Sequence, residues 1–301
     1  MTENCNIDVF VCTYRRQQKL KECIESIIAQ KLESSIALRI VVVDNDKDQT
    51  GRQIVELLGA KSGIPIVYLW EPQRGISHAR NKCLDAIKAK YFCFIDDDEI
   101  AAPTWVQNLY QTLHDFNADV VAGPVIATYH SNTPRWVIES KIFERNRKHT
   151  GDSLECAATG NCMLRSSSVQ RSGIRFDHRF SLSGGEDSDF FIRLLSSGYT
   201  AVFCDEAEVF EEAARDRMTM RYWMLRSIRG GQTYAMTHYK GMSNSRLLYL
   251  VSKKIVHLIA ATCMLILNLP RGRARYIRWL IRASSSYGQL SSFYGKKIEM
   301  Y

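Results

Sequence analysis

Short apolar runs and amphipathic stretches alternate along the first 126 residues. IDVFVCTY (7–14) reads as a buried strand, and Arg16–Gln30 places Leu20, Cys23, Ile24, Ile27 and Ile28 on one helical face. LRIVVVD (38–44) is too uniformly apolar for a half-exposed strand. A helix near 50–60, the strand IPIVYLW (64–70), a helix near 77–89 and the strand YFCFID (91–96) follow. A helix after Pro103 and the strand DVVAGPVI (119–126) complete the series. Alternation with short connections predicts βαβ crossovers and a doubly wound, mostly parallel α/β sheet covered on both faces.

Ligands of such sheets bind beyond the carboxyl ends of the strands, and polar residues gather there. The first strand runs into Thr13-Tyr14-Arg15-Arg16 and the second ends in Asp44-Asn45-Asp46. The third runs into Glu71-Pro72-Gln73-Arg74-Gly75 and the fourth into Asp96-Asp97-Asp98-Glu99. Any one of these alone is an ordinary solvated loop; four in succession on one sheet edge point to a ligand.

Beyond residue 126 the pattern loosens. Residues 128–157 read as irregular or weakly helical, ATGNCMLR (158–165) as a strand, and SLSGGEDSDFFIRLLSSG (181–198) as a loop entering a helix. Two short strands, YTAVFC and AEVFEE, and a helix over Arg217–Tyr239 follow. With no Pro/Gly/Ser linker in sight, residues 1–245 read as one domain and 246–301 as a helical appendage.

Composition narrows the class. Of 301 residues, 46% are hydrophobic and 24% charged, which excludes disordered and collagen-like chains. The nine cysteines form no C-x-x-C pair, so structural zinc and a disulfide framework are not expected, and a reducing cytosol is. The N-terminal stretch lacks a basic region and a cleavage-like site, so no signal peptide is expected. The net charge of +8 resides in the tail, where residues 246–301 carry ten Lys/Arg against Glu299. Within it, IVHLIAATCMLILNL (255–269) is nearly all apolar, and Ala274–Ala283 mixes Tyr276 and Trp279 with arginines. Fifteen helical residues cover about 22 Å, short of a hydrocarbon core of ~30 Å. The tail therefore reads as lying in or re-entering a membrane surface, with packing against the preceding domain or a dimer mate, or a true span, as the alternatives.

Two constellations carry chemistry. Three consecutive carboxylates at the end of a buried strand repel one another unless a cation sits among them. One or two carboxylates with phosphate oxygens make the usual seat for Mg²⁺ or Mn²⁺. Gly184-Gly185-Glu186-Asp187-Ser188-Asp189 opens an amphipathic helix. Helix capping accounts for one or two of those acids, and the glycines imply a close backbone approach. Ser77 reads as the N-cap of the third crossover helix, and His78 as structural. Dinucleotide, P-loop and serine-hydrolase signatures are missing.

C-T-Y-R-R, V-V-D-N, R-G-I-S-H-A-R-N, I-D-D-D and G-G-E-D-S-D-F, in this order over residues 6–240, resemble family 2 glycosyltransferases, most closely the succinoglycan-type exopolysaccharide enzymes. The resemblance implies the Rossmann-like GT-A fold and an inverting, metal-dependent sugar transfer from a nucleotide-sugar donor, UDP-linked by expectation. The acceptor it implies is polyprenyl-diphosphate-linked or another glycan, met at the inner face of the cytoplasmic membrane. By position, Thr13, Arg16 and Asp44 would hold the nucleotide, with Arg74 and Gly75 closing over it. Asp96 and Asp98 would form the D-x-D metal pair, Asp98 the favoured ligand, with Asp97 near ribose or phosphate. Asp187, in the Glu186-Asp187 pair, matches the catalytic base.

A histidine that some relatives use as a further ligand is replaced here by Val209-Phe210-Glu211-Glu212. Either Glu211 takes part or phosphate and water complete the shell. The Q-x-x-R-W motif of processive synthases is missing. Arg226 and Arg229 stand in a comparable place as candidates for the phosphates, so single-sugar transfer is expected. A nucleotidyltransferase of related fold lacks its Lys-bearing glycine loop. A nucleic-acid-binding protein using the tail is disfavoured by that tail's apolar content, and no nucleic acid is expected as partner.

Overall fold

The computed structural model describes residues 5–239 and 241–294; Lys296, Lys297 and Glu299 of the basic tail lie outside them. The strands are β1 (Cys5–Thr13), β2 (Ile36–Asp44), β3 (Ile66–Trp70), β4 (Tyr91–Asp96), β5 (Glu99–Ala101), β6 (Val120–Ala122), β7 (Val125–Thr128), β8 (Asn161–Arg165), β9 (Ala201–Phe203) and β10 (Val209–Glu212). The helices are α1 (Gln17–Ile28), α2 (Arg52–Lys61), α3 (Ile76–Asp85), α4 (Trp105–Asp115), α5 (Arg135–Ser140), α6 (Ser166–Ser172), α7 (Glu186–Ser196), α8 (Met220–His238), α9 (Asn244–Asn268) and α10 (Arg273–Ser291). The chain divides into two compact units. One comprises Met1–Thr128, Arg145–Ser181 and Glu186–Glu212, and the other Tyr129–Glu144, Leu182–Gly185 and Ala213–Tyr301.

The first unit holds a seven-stranded sheet in the order β3-β2-β1-β4-β8-β6-β9. β1, β2, β3 and β4 run parallel, whereas β8 is antiparallel to both β4 and β6. Strand order reverses between β1 and β4, which makes their carboxyl ends the switch point at which such sheets bind ligands. Alternate side chains along each strand feed two apolar layers. Val9 and Val11 pack with α1 and α4, while Phe10 packs with α3 and with Phe190 and Phe191 of α7. Asp8 is the exception within β1. Buried at 1% exposure, it accepts two 2.7 Å hydrogen bonds from Arg39 and two more from the Lys88 and Ala89 amides.

Residues 119–126, expected as one strand, are two. The chain breaks at Gly123-Pro124, and β7 leaves for a three-stranded sheet, β5-β10-β7. A side chain at Gly123 would collide with the Ala207 carbonyl, and Asn161 donates to the carbonyls of both Pro124 and Ala207. Ser77 does not cap α3: its hydroxyl donates to the Asp177 carbonyl, and Gly75 occupies the cap position.

In the second unit α10 packs along α8, α9 and α5. A Cβ at Gly231 or Gly288 would collide with backbone of the facing helix, so this pair lets α8 and α10 touch main chain to main chain. α9 is a continuous helix of 25 residues, beginning at Asn244 rather than at 255 and running through Lys253 and Lys254. α10 likewise runs on to Ser291. α9 exposes large apolar side chains, with Leu248, Val256, Ile259, Ile266 and Leu267 each more than half exposed.

Candidate active site

The switch point is wired by Thr13, Arg16 and the acidic triplet. Thr13 at the end of β1 donates its hydroxyl to Asp97 at 2.7 Å. Arg16 donates to Asp97 at 2.9 Å and to Asp98 at 2.8 Å. Burial pushes Asp97 up to about 6, against the downward pull of Arg16. Asp96 keeps a side chain 43% exposed. Desolvation raises its pKa against the pull of Arg80, and the charges of Asp98 and Glu211 push the same way. Glu99 is buried, accepts from the Asp96 amide at 3.0 Å, and leaves its second oxygen without a partner.

The residues expected on the nucleotide side form a second wiring. Asp44 is fully buried; its oxygens accept from the Asp46 amide, the Gly51 amide and the Tyr68 hydroxyl. Asp44 thus shapes its own loop, and burial beside it pushes the Tyr68 phenol well up. Asn45, absent from the expected set, ties that loop to the next. It donates to the carbonyls of Glu71 and Gln73 and accepts from the Gly75 amide at 2.7 Å. Gly75, at φ +131, lies so close to Ser181 that a Cβ would sit 2.5 Å from the serine's own. Arg74 approaches the Tyr14 ring at 5.9 Å, and Arg15, also on that ring, pairs with Asp46 and Asp48.

The Glu186-Asp187 pair divides at the start of α7. Glu186 is buried and ion-paired with Arg80, and burial pushes it up to about 7 against that cation's pull. Asp187 is half-buried and accepts from the Ser188 amide. Arg80 also donates to Asp96 at 3.4 Å and so links β4 to α7. The sequence carried one signal for it: a charge between Ala79 and Cys83 on the packed face of α3. His78 stacks on His178 with ring centroids 4.3 Å apart. Glu211, opposite Glu99 in the β5–β10 register, accepts from Arg145 at 2.9 Å.

Arg226 and Arg229 belong to the second unit, on α8. There Gly184 lies beside the Arg229 guanidinium, and a Cβ on Gly185 would collide with Thr233. The close approach that the two glycines imply is thus onto α8.

Among the described residues, no three Asp, Glu, His or Cys side chains form a cluster able to hold a metal by themselves. Asp96 and Asp98 nonetheless fit a hard divalent cation. They are oxygen donors, one of them with a half-exposed side chain. One or two carboxylates with substrate phosphates suffice for such an ion.

This sheet and its switch point have the GT-A architecture of glycosyltransferases. The glycosyl transferase family 2 profile matches residues 8–173 and that of glycosyl transferase family group 2 residues 91–287. The chain is 32% identical over 300 residues to the succinoglycan biosynthesis protein ExoM of Rhizobium meliloti (strain 1021), covering 99% of this chain and 96% of that one. It belongs to glycosyl transferase family 2 and is a glycosyltransferase. Its fold is similar to that of the mannosyltransferase PcManGT from Pyrobaculum calidifontis, solved with GDP-Man and Mn²⁺. The TM-score is 0.66 at 17% identity, over 97% of this chain and 88% of that one. The S. aureus TarS 1–349 structure with UDP-GlcNAc matches at a TM-score of 0.54 and 15% identity, over 97% of this chain and 92% of that one.

Proposed function

We propose that this protein is an inverting glycosyltransferase of exopolysaccharide assembly. It moves one sugar from a UDP-linked donor to a lipid-linked or other glycan acceptor. The observation that carries this reading is the carboxylate network at the switch point, joined through Arg80 to the helix that begins with Glu186 and Asp187. Thr13, Arg16, Asp44, Asp97, Arg74 and Gly75 serve the nucleotide. Asp96 and Asp98 would hold the divalent cation, Mn²⁺ or Mg²⁺, which when bound offsets the charge growing on the leaving diphosphate.

Asp187 is the base. An acceptor hydroxyl has a pKa far above neutrality and must lose its proton as it attacks the anomeric carbon. Glu186 is committed to Arg80, whereas Asp187 is accessible enough to take that proton. Attack opposite the departing nucleotide inverts the centre and needs no protein nucleophile.

The tail supports a place on the inner face of the cytoplasmic membrane. Within Asn244–Arg271, an 18-residue stretch has mean hydropathy 1.8 and is 6% buried. The 25 residues of α9 extend about 37 Å, which is enough to span. One flank nevertheless packs along α10, whose Arg275, Arg278 and Arg282 are exposed. An apolar face beside a basic stripe suits a helix lying in the interface.

The test is Asp187→Asn. Transfer from UDP-sugars should fall below detection while calorimetric binding of UDP stays within about twofold of wild type, since a base acts on the acceptor proton alone. An active variant would overturn the assignment of the base.

A further inference from the structure

Arg80 lies on α3, is 6% exposed, and faces two carboxylates that come from different elements: Glu186 at the start of α7 and Asp96 at the end of β4. α3 is itself fastened to the segment leading toward α7. Asn81 brackets Phe176, donating to its carbonyl and accepting from its amide at 2.9 Å each, and Ser77 donates to Asp177. The Arg80 guanidinium also lies over the Phe176 ring at 5.8 Å. Glu186 has one oxygen on Arg80 and the other buried with no partner, so the arginine is its anchor. Without that cation, the first turn of α7 would crowd Glu186, Asp187 and Asp189 together with Asp96 nearby.

We infer that Arg80 is a positioning residue: its guanidinium fork clamps Glu186 to Asp96, and thereby fixes Asp187 relative to the D-x-D carboxylates. Arginine suits the task because its rigid fork can engage two oxygens at once, which a lysine ammonium on a flexible stem does less well. The aiming of Asp187 rests on its role as the base; the clamp itself rests on geometry alone.

The test uses the full-length protein. Removing one partner leaves a buried charge and endangers the fold, whereas replacing both with apolar residues of similar size is often tolerated. The central variant is therefore the double Arg80→Met/Glu186→Leu, with Arg80→Lys beside it. Amide hydrogen exchange at residues 190–193, whose N–H groups bond the carbonyls of the first turn of α7, is followed without metal or nucleotide. The clamp requires faster exchange there in the double variant, with exchange in β1 and β2 unchanged. In sugar transfer, kcat should fall on the order of 100-fold, as misplaced reacting groups do, while donor KM stays within about twofold. Arg80→Lys, keeping the charge but not the fork, should recover part of both.

Unchanged exchange in the double variant would overturn the clamp, as would full kcat, or a rise in donor KM with kcat intact. If the double variant does not fold, Arg80→Lys decides: wild-type exchange and kcat would contradict the proposal, and intermediate values would uphold it. Wild-type protein that transfers no sugar would refute the proposed function while leaving the exchange result to judge the clamp.

Discussion

The hydroxyl of Thr13, last residue of β1, lies 2.7 Å from the carboxylate of Asp97, first residue after β4. That one bond spans the switch point and joins the first strand to the acidic triplet. Replacing Thr13 with valine keeps the shape and removes the donor, leaving one oxygen of a carboxylate that is 4% exposed without its hydrogen bond. Such a loss costs about 1–3 kcal/mol. Denaturant unfolding of Thr13→Val should show a deficit of that size, together with weaker UDP binding. Unchanged values in both would mean that the bond neither holds the switch point nor shapes the nucleotide seat.

Gly185 has φ +92 and no room for a side chain against Thr233. Gly185→Ala should therefore destabilise the protein by at least about 1 kcal/mol, combining left-handed backbone cost with overpacking. Thr233→Ser removes the methyl nearest the added carbon and should return part of the loss in the double variant. Equal thermal midpoints for wild type and Gly185→Ala would show that the loop shifts freely.

Much of this architecture was legible in the chain. Strands buried on both faces read as unbroken apolar runs, and β1, β2 and β4 stood out for that reason. The polar residues converging at their ends were readable because parallel topology alone fixes which ends meet. The division of 119–126 was hidden, since it depends on the approach of Gly123 to Ala207, distant in sequence. Asn45 and Arg80 were hidden for the same reason: their roles consist of contacts with residues 16 to 106 positions away. The full length of α9 was obscured by Lys253 and Lys254, because a pair of charges breaks an apolar run in the sequence without breaking a helix.

His78 carries a pH dependence. Burial, and the charge of His178 stacked upon it, hold its pKa below the usual value near 6.5. The unfolded chain therefore binds the proton more readily, so stability is complete above that value and declines as pH falls through the lowered one. His78→Phe keeps a ring in the stack and removes the titration. Its unfolding free energy should be flatter than wild type as pH falls below about 6.5; parallel slopes would remove His78 as the cause.

If the apolar face of α9 and the arginines of α10 dock on lipid, the protein should float with vesicles containing phosphatidylglycerol and less with neutral ones. Arg275→Glu/Arg278→Glu/Arg282→Glu should abolish the difference, because each basic residue near an anionic surface contributes roughly 1 kcal/mol. Equal flotation with both lipids, unaffected by the triple substitution, would exclude an electrostatic contribution from this stripe.

The central claim is that the carboxylates at the β1–β4 switch point bind a nucleotide diphosphate together with a divalent cation. Calorimetric titration of the full-length protein with UDP, with and without Mn²⁺, and of Asp98→Ala under the same conditions, tests it most directly. The account predicts saturable binding that requires the metal and is lost in Asp98→Ala. UDP binding of equal strength without metal, or undiminished in the variant, would contradict it.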